Sequence, residues 1–294
     1  MIIPAVLVRR GKYSVADPLF VEERRPVLVG RKVRRGAEAG DIVLVNAREM
    51  NRSLRGEVTR VIGPSDDPRN VYEALFASIG TGRTFPPEVE EEADAVAGRP
   101  LGDRRDLRHL PTVTIDGKDA KDFDDAISVE RTSGGYRVWV HIADVTHYVE
   151  PGSALDRQAA FRGNSVYLPG TVAPMLPERL SNDVCSLKPN VERATVTAEM
   201  ELTEGGETKS AVAYRSLIVS DARLTYAGVD AFIKGEGEII EQPDLVHAAH
   251  ALSRRLKTRA AVRGKLELGG REPEYELDGD GVPVGATTRR STEA

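Results

Sequence analysis

Cysteine is nearly absent, Cys185 being the only one. A single thiol excludes an internal disulfide framework and any cysteine-rich zinc site. Long apolar runs are missing too, so nothing in the sequence predicts a bilayer-spanning helix. The apolar run from Ile2 to Val8 has no basic segment before it and meets Arg9-Arg10 at once, unlike a secretory signal. No internal repeat, low-complexity tract, G-x-G-x-x-G or P-loop is present, which removes support for a nucleotide-binding fold. These absences predict a cytoplasmic, soluble chain with no membrane partner, and 294 residues leave room for two or three domains.

What the chain does have is acid, concentrated. Asp116, Asp119, Asp122, Asp124 and Asp125 crowd the run TIDGKDAKDFDDAI. Carboxylates this close raise one another's pKa unless a cation lies between them. Their oxygens are hard ligands suited to Mg²⁺ or Mn²⁺, ions that typically serve phosphate chemistry. The plain alternative is a solvated acidic turn. Context argues against it, because the apolar runs Val113 to Ile115 and Ala126 to Val129 flank the cluster and read as strands. An EF-hand fails: counting from Asp116, the third, fifth, sixth and twelfth positions are Lys118, Ala120, Lys121 and Ile127.

The net charge of −5 conceals an asymmetry. Residues 1–60 hold thirteen Lys/Arg against seven Asp/Glu, a balance of +6, which leaves −11 for the other 234. A basic first segment beside an acidic centre suits a polyanion gripped by one part and processed by another, although a highly charged surface also fluctuates this much by chance.

The same segment predicts strands at Ala5–Val8, Pro18–Val21, Pro26–Gly30, Asp41–Ala47 and Gly56–Gly63, consistent with a small OB or cold-shock-type barrel; an SH3-like barrel would read alike. Helices are predicted from Val71 to Ile79 and from Glu88 to Val96 within a connecting stretch, 63–110. Beyond it, Ala126–Glu130 and Tyr136–Ile142 form a hairpin turned at Ser133-Gly134-Gly135, with Val138, Val140 and Ile142 alternating against Trp139 and His141. This hairpin would give the aspartate loop a rigid support. Ser153 caps a helix to about Arg162, strands follow at Thr195–Leu202 and Ala211–Val219, and a long helix at about Asp244–Val262.

Four segments, TIDGKDAKDFDDAI, VHIADVTHYVEPGSALD, RGNSVYLPG and PMLPERLSNDVCSL, in this order and spacing, resemble the catalytic RNB domain of the ribonuclease II/ribonuclease R family. The resemblance runs from about Pro111 to the last residue; the first segment matches that family's cold-shock-type barrel only by position and general pattern. It implies an α+β chain: an OB/cold-shock-like RNA-binding barrel over 1–62, a linker over 63–110, and the first part of a mixed α/β RNB domain over 111–294. It implies a Mg²⁺-dependent hydrolytic exoribonuclease, with Mn²⁺ a possible substitute, that works from the 3′ end of single-stranded RNA and releases nucleoside 5′-monophosphates. The family's catalytic and metal-binding aspartates fall on Asp116, Asp122, Asp124 and Asp125, while Asp119 has no counterpart. Tyr167 matches the aromatic that stacks on a base near the 3′ end, and Tyr226, in ARLTY, matches a residue lining the RNA path.

The family's domain continues past the position of Ala294, into a half that contributes a glutamate and arginines, and usually on to an S1-type domain. The expectation is therefore a C-terminally truncated chain, weak or inactive alone and a monomer in its full-length form. The alternative is an RNA-binding fragment that keeps the metal-binding half of the site and hydrolyses nothing. Other candidates are weaker. His141 and His147 are expected to be structural, His247 and His250 to lie on the surface, and Cys185 to be a small buried residue.

Overall fold

The computed structural model describes residues 1–30, 36–237, 240–266, 272–279 and 281–289. Residues 31–35 of the basic first segment and the chain end at 290–294 lie outside the described residues. The chain forms two compact units, the first from Met1–Phe85, Phe161–Met175 and Glu274–Thr287, the second from the rest.

In the first unit, β1 (Ile2–Arg10), β2 (Tyr13–Pro18), β3 (Val27–Val29), β4 (Asp41–Met50) and β5 (Ser53–Pro64) close into a barrel in the order β1-β2-β3-β5-β4. β3 and β5 pair in parallel, the other neighbours antiparallel, and β1–β4 closes the ring. Ile3, Ala5, Leu7, Val27, Val43, Val45 and Leu54 fill the interior. Gly56 is needed where β5 crosses over this core, because a Cβ there would stand 2.5 Å from Val45 Cγ1.

The second strand differs from the sequence reading, which put it at Pro18–Val21. A turn at Gly11-Lys12, with Gly11 at φ +62°, pairs Arg10 with Tyr13 and fixes the strand upstream. Pro18 ends it, and Phe20 at φ +57° lies in the bend that follows. α1 (Pro68–Ser78) starts at Asp67, whose carboxylate accepts from Arg69 N at 2.9 Å, and lies against β1, β4 and β5. It buries Phe76 almost completely, a contribution of about 1.5–3 kcal/mol.

The second unit opens with α2 (Pro87–Ala97), which buries Val89, Ala93 and Val96 along one stripe. Next come β6 (Arg105–Asp106), β7 (Val113–Asp116), β8 (Asp125–Thr132), β9 (Gly135–Ala143) and α3 (Ala154–Arg162), the last capped by Ser153 Oγ accepting from Asp156 N. The short hairpin of β10 (Val166–Leu168) and β11 (Thr171–Ala173) belongs to the first unit. β12 (Glu192–Thr203), β13 (Thr208–Val219), β14 (Ala222–Thr225), α4 (Tyr226–Lys234) and α5 (Pro243–Val262) complete the second. The first unit gains a final pair, β15 (Glu272–Leu277) and β16 (Pro283–Arg289).

β6–β9 and β12–β14 form one sheet, ordered β14-β7-β8-β9-β12-β13-β6. Its two outer pairings are parallel and the inner ones antiparallel. Gly135, at φ +144°, starts β9 where a Cβ would meet Leu202 O at 2.0 Å, so only glycine lets β9 lie this close to β12.

The sheet's faces differ in chemistry. On one, α4 and α5 cover Val113, Leu224, Val129, Val138 and Leu202 with Val229, Leu245, Val246 and Leu252. On the other, buried hydroxyls link strand to strand. Thr112 Oγ1 meets Ser128 Oγ at 2.7 Å, Ser128 Oγ meets His141 Nε2 at 3.1 Å, and His141 Nδ1 meets Thr197 Oγ1 at 2.7 Å. Thr197 continues to Ser216 Oγ at 2.5 Å. Arg104 and Asp144 add a buried ion pair at 2.7 Å. The chain is thus α+β, a closed five-stranded barrel followed by a mixed α/β region. Among the described residues no helix is long and apolar enough to cross a membrane.

Candidate active site

β7 ends on Asp116 and β8 begins on Asp125, so the acidic stretch is the loop between neighbouring strands. The loop is tied down from three directions. Ala143 N, at the end of β9, donates to Asp124 O at 2.9 Å. Ser186, fully buried, donates from Oγ to Lys121 O at 2.8 Å and accepts from Phe123 N at 3.1 Å, while Leu187 N donates to Phe123 O. Arg223 on β14 donates from Nη2 to Gly117 O at 2.6 Å and to Lys118 O at 2.5 Å. With its peptide groups held this way and Phe123 buried as an anchor, the loop is framed by its neighbours, and Asp119, Asp124 and Asp125 face solvent from it.

The carboxylates are coupled electrically. Burial raises the pKa of Asp116 and the charges of Asp125 and Asp122 raise it further, while the Thr114 hydroxyl and the charge of Arg223 oppose the rise. Asp124 is raised as well, by partial desolvation within the loop although the residue reaches solvent, with Asp122 and Asp125 adding to the effect. Asp116 and Asp122 are half-buried, whereas Asp124, Asp125 and Asp119 reach solvent. Among the described residues no three His, Cys, Asp or Glu side chains are arranged as ligands of one ion. The donor set nonetheless fits a hard divalent cation: all its atoms are carboxylate oxygens, their charges disfavour one another, and Asp116 Oδ2 is buried without a hydrogen-bond partner.

Tyr226 enters through the sheet. β14 runs parallel to β7 with Thr225 opposite Asp116, so Tyr226, first residue of α4, stands one position beyond the register partner of Asp116. The Thr225 hydroxyl caps α4 by accepting from Gly228 N at 3.1 Å. Tyr167 lies in the first unit, on β10, with 65% of its surface exposed.

The barrel carries a second candidate surface. A groove of about 780 Å³ is lined by Tyr13, Asn46, Arg48, Met50, Arg55 and Thr59, among others. Arg48 and Arg55 are direct register partners across β4 and β5. Like charges placed opposite each other destabilise a sheet, and an anionic ligand would relieve that cost.

The histidines divide. His141 is fully buried within the hydroxyl chain, and burial lowers its pKa to about 4. His147 is half-buried with its ring edge-on to Tyr148, and burial lowers its pKa as well. His247 is exposed beside Phe232, but His250, read from sequence as a surface residue, is half-buried with Nδ1 unpartnered. Its position on α5, two residues after the core residue Ala248, accounts for the difference. Cys185 is buried, and burial pushes its thiol up to about 12. Sequence reasoning missed Ser186 and Arg223. Both stand in recognised segments, PMLPERLSNDVCSL and ARLTY, and that was the only available signal.

Comparison with known proteins agrees with this architecture. Residues 104–294 match the family described as the RNB domain. Ribonuclease R of Vibrio parahaemolyticus is 38% identical over 268 residues, covering 87% of this chain and 32% of the relative. The chain thus spans about a third of the length of the curated relatives it matches. The structure of Mycoplasma genitalium RNase R in complex with ribose methylated single-stranded RNA is similar at a TM-score of 0.89 and 26% identity, over 100% of this chain and 48% of that one. The yeast pseudonuclease Ssd1 shares the fold alone, at a TM-score of 0.68 and 16% identity over 88% of this chain and 34% of that one.

Proposed function

This chain belongs to the RNB-domain family, and on that footing we propose that it is part of a hydrolytic exoribonuclease acting from the 3′ end of single-stranded RNA. Hydrolysis joins a water oxygen to the scissile phosphorus and breaks the P–O3′ bond. A nucleoside 5′-monophosphate leaves, and the shortened strand keeps a 3′-hydroxyl. The observation that carries this reading is the framed aspartate loop, with the buried, unpartnered Asp116 Oδ2 at its base.

Asp116, Asp122, Asp124 and Asp125 would hold Mg²⁺, with Mn²⁺ as a substitute. Divalent ions bound there supply water activation and charge neutralisation on the departing oxygen. Tyr167 stacks on a base near the 3′ end, a contact worth about 1–3 kcal/mol and indifferent to base identity. Tyr226 lines the strand's path beside the loop, and Arg48 and Arg55 contact phosphates on the barrel. RNA is told from DNA by contacts to the 2′-hydroxyl. The full-length protein works as a cytoplasmic monomer.

A second reading is a module that binds RNA without cutting it. Two observations favour it: the chain spans about a third of its relatives, and the same fold occurs in a pseudonuclease. The deciding experiment gives the chain 5′-labelled single-stranded RNA with Mg²⁺, in enzyme excess. Stepwise shortening from the 3′ end with 5′-monophosphate release supports the enzyme. Tight binding with intact RNA supports the module, and neither binding nor cleavage rejects both.

A further inference from the structure

We propose that Arg223 is the positioning residue of the aspartate loop, the side chain that sets where Asp116 and Asp122 stand relative to each other. The inference rests on the metal-binding role proposed for that loop. β14 places Arg223 opposite Thr114, two residues before Asp116, so its guanidinium reaches across the sheet edge to the loop. Nη2 donates to the carbonyls of two successive residues, Gly117 and Lys118, immediately after Asp116. The guanidinium carbon also sits 5.4 Å from the ring centroid of Phe123, between Asp122 and Asp124. One side chain therefore touches both ends of the loop.

The geometry differs from that of an arginine serving only as fold cement. Neither acceptor is a carboxylate, and both belong to the loop that carries the acids. Arg223 Nε is buried without a partner, so part of the guanidinium's bonding capacity is unused by the fold. Lysine carries the charge but not the planar fork, so it is not a conservative replacement here.

The test compares the 294-residue chain with Arg223→Ala, Arg223→Gln and Arg223→Lys. Three readouts are taken: trypsin cleavage after the exposed loop residues Lys118 and Lys121, Mn²⁺ affinity by electron paramagnetic resonance, and the thermal unfolding midpoint. The expected result is faster cleavage at those two sites alone and Mn²⁺ affinity weakened by about 10-fold or more, the usual scale for losing a ligand-orienting residue. The unfolding midpoint should stay near that of the parent, and Arg223→Lys should restore the affinity only in part. Unchanged loop cleavage would overturn the proposal, as would cleavage accelerated throughout the chain with a collapsed midpoint. If the parent binds no Mn²⁺ while the loop still loosens selectively in the variants, the positioning role stands and the metal assignment falls.

Discussion

Thr225 stands opposite Asp116 in the parallel pairing of β14 with β7, and this single register ties α4 to the acidic loop. Tyr226 and Arg223, one residue after and two before Thr225, owe their places near the loop to it. A candidate contact to RNA and one brace of the loop thus come from a short edge strand and the helix turn that follows it, about a hundred residues from the acids.

The carboxylates should behave as mutually repelling charges until a cation binds. Asp124 is raised by partial desolvation and by Asp122 and Asp125, so neutralising it as Asp124→Asn should raise the unfolding midpoint in metal-free buffer. Added Mn²⁺ should stabilise the parent and leave the variant unmoved. Thermal scans with and without Mn²⁺ check the crossing. In a full-length protein the same change should lower turnover by about 10²–10³ or more.

Ser186 satisfies two buried backbone groups of the loop with one hydroxyl. Ser186→Ala leaves the Phe123 N–H and the Lys121 carbonyl without it, at a cost of about 1–3 kcal/mol. Urea unfolding at neutral pH measures this, and a loss below the range resolved by the assay would count against the clamp.

How much of this was legible in advance follows the physics of each element. Most barrel strands, the β8–β9 hairpin, α2 and α3 announce themselves through period and punctuation: Val138 and Val140 alternating with Trp139 and His141, Ser153 at a helix start. α1 was expected from Val71, yet it starts at Pro68, because Asp67 caps a helix inside the stretch that reads as a turn. The second barrel strand was misplaced because Leu19 and Val21 look strand-like, while register was set by the turn at Gly11. Acids adjacent in sequence were easy to find, and their supports were not. Ser186 and Arg223 act across 65 and 106 residues, each through a pair of hydrogen bonds that leaves no periodic trace. Nor does any pattern foretell that residues 161–175 and 274–287 return to the first unit.

His141 gives the fold an acid sensitivity of known sign. Its pKa drops from 6.5 to about 4 on folding, so the unfolded chain accepts a proton that the folded form refuses. Stability from this group is complete above about pH 6.5 and is lost as the pH falls toward 4, to a total on the order of 3 kcal/mol. Denaturant titrations across that window should show a steeper acid loss for the parent than for His141→Gln. Equal slopes would mean His141 carries no such burden.

On the barrel, Arg48→Ala and Arg55→Ala should each weaken single-stranded RNA binding. Each should also reduce the log–log salt slope by about 0.7 if the residue meets one phosphate. Because the two are cross-strand partners, removing either should also slightly stabilise the free protein. Filter binding across a salt series supplies the slope, and an unchanged slope would make the groove an ordinary solvated surface.

The central claim is that Asp116, Asp122, Asp124 and Asp125 act together on a divalent cation. Mn²⁺ titration of the 294-residue chain and of its four single Asp→Asn variants, followed by electron paramagnetic resonance, tests it most directly. The account predicts saturable binding by the parent and a clear loss of affinity in every variant, with Asp119→Asn binding as the parent does. Binding that survives all four substitutions, or that is lost equally with Asp119→Asn, would contradict it.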